Sequence, residues 1–149
     1  MLSSWAMKRP LKALDNLVRL GTLKAEAADA VEFAGLLRSG NVRLKDAENA
    51  TLSLESRFDL AYNAAHALAL AALRYQGYRS DKRYLVFQCL EHTLSIPPEQ
   101  WRVLDKAHRL RNLAEYEGDV DVDLEVVAAV IRVASKIASA LAALPPVGR

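Results

Sequence analysis

The chain has 149 residues, 52% of them apolar, which fits one domain with a real core and argues against a disordered chain. Aromatic residues supply only 7%, with six glycines and five prolines, a composition suited to helices packed through Ala, Leu and Val rather than to a β-rich fold. A formal net charge of +2 makes no global demand for a nucleic-acid partner, and the single cysteine, Cys89, excludes an internal disulfide framework and suits a reducing cytoplasm.

The first predicted helix runs from about Pro10 to Leu20, with Pro10 suited to a first helical position and Gly21 as its stop. A second covers about Leu23 to Arg38, where Leu23, Ala27, Ala30, Ala34 and Leu37 recur at helical spacing. Ser39-Gly40-Asn41 reads as a stop and turn, followed by a short piece with Leu44, Ala47 and Ala50 on one face. Ser53 caps a helix over about Leu54 to Gln76, whose broad apolar face includes Phe58, Tyr62 and Leu68. Its polar groups Asp59, Asn63, His66 and Arg74 share one narrow sector, so this helix should be central.

Gly77 ends that helix and Tyr78 to Arg83 forms a basic connector. Further helices cover about Lys82 to Leu94 and, opened by Pro97-Pro98, about Pro98 to Glu115, with Gly118 as the stop. Asp119, Asp121 and Asp123 place negative charge at the positive end of the last helix, about Leu124 to Leu144. Glu125, Arg132, Lys136 and Ser139 are its thin polar line, so its other faces should be buried or shared with a second subunit. No segment alternates as a strand does, and the expected architecture is all-α, an antiparallel bundle with short connections. Val126 to Leu144, broken by Arg132 and Lys136, is shorter than about 20 clean apolar residues and is not expected to span a membrane. MLSSWAMKRPLKAL lacks the apolar run of a signal peptide, so the expected location is cytoplasmic.

The densest chemistry lies in HRLRNLAEYEGD, His108 to Asp119. On a helical wheel Val103, Ala107, Leu110 and Ala114 form the buried stripe, and Arg111 falls inside that apolar sector. A guanidinium there keeps its charge and needs a carboxylate, a phosphate or several carbonyls. Asp59 and Glu115 are conceivable structural partners; an anion site for RNA phosphate or nucleotide is the functional alternative. Asn112 and Tyr116 share the next face, flanked by His108 and Arg109. A second basic group, Arg74, Arg79, Lys82 and Arg83, is interleaved with Tyr75, Tyr78 and Tyr84, a pattern that holds single-stranded RNA or simply forms a solvated loop. The histidines fall on different helices, and Cys89 with His92 lacks the second pair a zinc site needs, so neither metal nor cofactor is expected.

Two stretches together resemble the HEPN superfamily. Ser56 to Arg79, SRFDLAYNAAHALALAALRYQGYR, is similar to its second core helix and glycine turn, and HRLRNLAEYEGD to the helix that carries its motif. The resemblance covers roughly Leu44 to Leu144 and leaves residues 1–40 as additional N-terminal helices. It implies a single domain with an up-down four-helix bundle core, and a homodimer in which two motifs meet. Many members are metal-independent endoribonucleases of toxin–antitoxin or defence systems; others are non-catalytic, and many act beside a nucleotidyltransferase or an antitoxin. Carried over, Arg111 matches the motif arginine, Asn112 the polar residue after it, and Tyr116 occupies the histidine position. A tyrosine titrating near 10 is a poor general base. The resemblance therefore implies an RNA-, nucleotide- or partner-binding module, with an endoribonuclease toxin and a structural dimeric adaptor as alternatives.

Overall fold

The computed structural model describes residues 12–118 and 121–147. Residues 12–19 are helical (α1), and the short strand β1, Lys24–Ala25, follows. Then come α2, Ala30–Ala47; α3, Leu54–Tyr75; and strand β2, Tyr78–Arg79. The chain continues with α4, Arg83–Gln88; α5, Leu90–Thr93; α6, Pro98–Glu117; and α7, Leu124–Ala142. The predicted role of Pro10 and the predicted position of Asp119 lie outside the described residues.

Local chemistry sets most of these boundaries. Asp29 accepts from the amides of Val31 and Glu32, Ser53 from Ser56 and Asp123 from Val126, each satisfying an otherwise free donor at a helix start. Gly118 closes α6 in the left-handed region at φ 78°, where a side chain would be strained.

As its broad apolar face predicts, α3 is the central element. It packs along α2 and against α7, with α4, α5 and α6 also in contact with it. Ala61, Ala64, Ala65, Ala69, Ala71 and Ala72 are all buried, so small side chains let those neighbours approach closely.

Three expectations are corrected. Ser39-Gly40-Asn41 is not a turn: α2 runs straight through it, and the predicted short piece around Leu44 and Ala47 is its last turns. Gly40 is there for contact, because a Cβ on it would lie 2.6 Å from Cγ and Cδ2 of Leu68 on α3. The helix predicted to begin at Leu23 starts only at Ala30. Before it, β1 pairs antiparallel with β2, matching Lys24 with Arg79 and Ala25 with Tyr78, so the connector after Gly77 is partly strand. The helix predicted over Lys82 to Leu94 is two pieces, interrupted at Cys89. Burial pushes that thiol up to about 12, so it is an inert core group at neutral pH.

The strand pair is fixed by a charged knot. Arg74, 2% exposed at the end of α3, donates to Glu32 Oε1 and to the carbonyls of Glu26 and Ala27, all at 2.7 Å. Arg79 bonds Glu26 Oε2 at 3.0 Å and pairs with Glu32 as well. Those contacts hold the Glu32 carboxyl below its ordinary range, Arg79 contributing most and Arg74 next. Tyr78 reaches back to Asp15, which ties α1 to the ribbon.

Candidate functional site

A polar cluster forms where the middle of α3 meets the start of α4 and the later turns of α6. Its hub is Tyr62, fully buried, with Phe58 stacked at 6.3 Å and Phe87 edge-on at 5.9 Å between ring centroids. The guanidinium carbons of Arg83 and Arg111 lie 5.4 and 5.3 Å from the Tyr62 centroid, within cation–π range. Arg83 also donates to Asn63 Oδ1 at 3.0 Å. Among the described residues no carboxylate forms an ion pair with Arg83.

Helical spacing builds this cluster. On α3, Asn63 and His66 stand one residue and one turn beyond Tyr62; on α6, Arg111 and Asn112 lie three and four residues after His108, on one side of the helix. The wheel position of Arg111 inside the apolar sector has its explanation here. Its side chain, 31% exposed, lies over an aromatic ring and reaches Glu115 Oε1 at 3.4 Å. Glu115 is thus the partner found, as one of the two conceivable carboxylates.

His108 bridges core and surface. Its Nδ1 lies 2.9 Å from the Tyr62 hydroxyl and its Nε2 3.2 Å from Asn112 Nδ2. A neutral imidazole has one donor and one acceptor nitrogen. When Asn112 donates to Nε2, Nδ1–H therefore donates to the Tyr62 oxygen, and the tautomer is set from both ends. Burial lowers the His108 pKa first; Arg111 and Arg83 add to this, while Asp105 opposes it. His66, edge-on to Phe87 at 6.1 Å, is lowered to about 4 by burial and then by Arg83, Arg111 and His108. At neutral pH the cluster thus holds two guanidiniums, one of them paired with Glu115, beside two uncharged imidazoles, and both nitrogens of His108 are already hydrogen-bonded.

Arg111 lines two depressions along the seam of α3 and α6. One, about 110 Å³, has apolar walls from Phe58, Leu110 and Val122 and carboxylates from Glu55 and Asp59. The other, about 280 Å³ and open to solvent, is also lined by Asp59, Asn63, Ala114 and Glu115.

Of the residues singled out by sequence, the structure brings together His108, Arg111, Asn112 and Arg83. Tyr116 is not among them: it is 92% exposed near the end of α6. Arg109 points outward to Asp105 at 3.5 Å. Arg74 and Arg79 belong to the ribbon knot, and Lys82 is exposed just before α4, so the second basic group divides rather than forming one patch. Tyr62, Asn63 and His66 were legible only as part of an apolar face and a polar sector. Among the described residues no group of three His, Cys, Asp or Glu side chains is placed to hold a metal ion. No family model, no curated protein and no solved structure matches this chain.

Proposed function

We propose that this chain is a HEPN-like helical module that binds the phosphate of RNA or of a nucleotide through Arg83 and Arg111. In this reading α3, α6 and α7 are joined in a four-helix bundle core by α2, which starts upstream of the Leu44 to Leu144 span of the resemblance, and the module acts as a homodimer in a prokaryotic toxin–antitoxin or defence setting. A nucleotidyltransferase or an antitoxin would be its partner. The observation that carries the reading is the pair of guanidiniums over the buried Tyr62 ring; for one of them, Arg83, the neutral Asn63 is the hydrogen-bond partner among the described residues. A guanidinium held without a carboxylate keeps N–H donors and its charge available to a phosphate. Glu115, on the exposed last turns of α6, is displaced from Arg111 at little cost, since such surface pairs contribute about 0–1 kcal/mol.

Fluorescence anisotropy of a labelled single-stranded RNA, with titration calorimetry of pyrophosphate, tests this. Arg83→Ala with Arg111→Ala should weaken both at least tenfold while the helical circular dichroism stays unchanged. Unchanged binding in that double variant rules the reading out.

A specific observation favours a second reading, a metal-independent endoribonuclease. Tyr116 occupies the motif's histidine position by sequence order but stands away from the cluster, whereas His108 lies beside Arg111 with its tautomer fixed. His108 would then exchange the proton through Nε2 once Asn112 moves off it, while the arginines stabilise charge on phosphorus. RNA cleavage lost in His108→Ala and kept in Tyr116→Phe is the outcome this reading requires.

A further inference from the structure

We infer that the 110 Å³ cavity beside Arg111 is a nucleobase subsite, and that the nucleotide it selects carries guanine. The inference rests on Arg111 holding a phosphate. Three features of the cavity converge on one ligand class. Its lining includes Arg111, the apolar residues Phe58, Leu110 and Val122, and two exposed acidic residues, Glu55 and Asp59, one helical turn apart on α3. A ligand matching all three has an anionic group, a flat apolar face and an edge of N–H donors. Phosphate, base plane and base edge of a nucleotide supply these together.

The lining carboxylates are free to take that role. Among the described residues neither Glu55 nor Asp59 forms an ion pair, and the Asn63 amide bonds the backbone carbonyl of Asp59 at 2.9 Å, not its carboxylate. Guanine alone among the common bases places two adjacent donors, N1–H and the N2 amine, on its pairing edge, and a carboxylate accepts both at once. Uracil offers a single N3–H flanked by two carbonyl oxygens, which face the carboxylates unfavourably. Adenine and cytosine each offer a single amine beside an acceptor. Glu55 and Asp59 are exposed and keep water when no base is bound, so the selection comes from the donors that guanine offers and from the oxygens that other bases set against the carboxylates.

The source of the guanine nucleotide, free or within a strand, is separated by experiment. Titration calorimetry of the full chain with GMP, AMP, CMP, UMP and pyrophosphate forms one arm. Anisotropy with oligoadenylate, with and without a single guanosine, forms the other. A preference of about tenfold or more for guanine is expected. Asp59→Asn should abolish that preference without weakening pyrophosphate binding, since it removes a negative charge beside Arg111, and Glu55→Gln should reduce it. Preference in both arms supports a free nucleotide site; preference in the strand alone supports an RNA site. Pyrophosphate binding with all bases equal overturns the base subsite and leaves the phosphate reading standing. Absence of binding by every probe, pyrophosphate included, overturns both.

Discussion

Tyr62 shows how one buried side chain organises charge around itself. Its ring faces two guanidiniums, its flank packs on Phe58 and Phe87, and its hydroxyl holds His108. Tyr62→Phe keeps the packing and removes the hydroxyl, leaving His108 Nδ1 without that partner. A loss of about 1–2 kcal/mol by urea unfolding is expected. His66 makes a pH-dependent contribution whose sign follows from burial. Its folded value of about 4 lies below the ordinary 6.5, so between these the unfolded chain takes up a proton that the native state refuses. Native stability should therefore fall as pH drops from 6.5 toward 4. His66→Gln removes this contribution, and its Tm should fall less than that of the unaltered chain on acidification through that window. Equal falls would show that His66 titrates normally in the folded state.

At the scale of elements, α2 carries a paired test in its two glycines. Gly35 faces open space, so Gly35→Ala should stabilise by up to about 1 kcal/mol through helix propensity. Gly40→Ala gains the same propensity but drives a methyl into Leu68, and overpacking of this kind costs about 1–3 kcal/mol, so a net loss is expected in the same thermal assay. The ribbon is held differently. Arg74→Ala removes a buried cation from Glu32 and from two backbone carbonyls, and a loss of about 3 kcal/mol is expected, with RNA or pyrophosphate affinity unchanged. Weakened binding in a folded Arg74→Ala protein would place that residue in the proposed phosphate site after all.

Across the whole molecule, what was legible in the sequence is what depends on neighbours along the chain. The span of α3, its Ser53 cap, the stops at Gly77 and Gly118 and the opening of α6 at Pro98 rest on local hydrogen bonding and on backbone freedom, so composition and spacing determined them. The same holds for the helical character of the chain and for the odd wheel position of Arg111. Contacts between distant residues decided the rest. Gly40 reads as a breaker until Leu68 lies against it, and Arg74 and Arg83 look alike until Glu26 and Glu32 neutralise the first and the Tyr62 ring faces the second. Within one helix, His108 precedes Arg111 and Tyr116 follows it; only the packing of α6 on α3 turns His108 toward Tyr62 and leaves Tyr116 in solvent. The sequence by itself determined the main helices α3, α6 and α7 and which side chains are polar or charged. The tertiary structure decided which of those side chains stand together, because a charge takes its role from the groups that surround it in space.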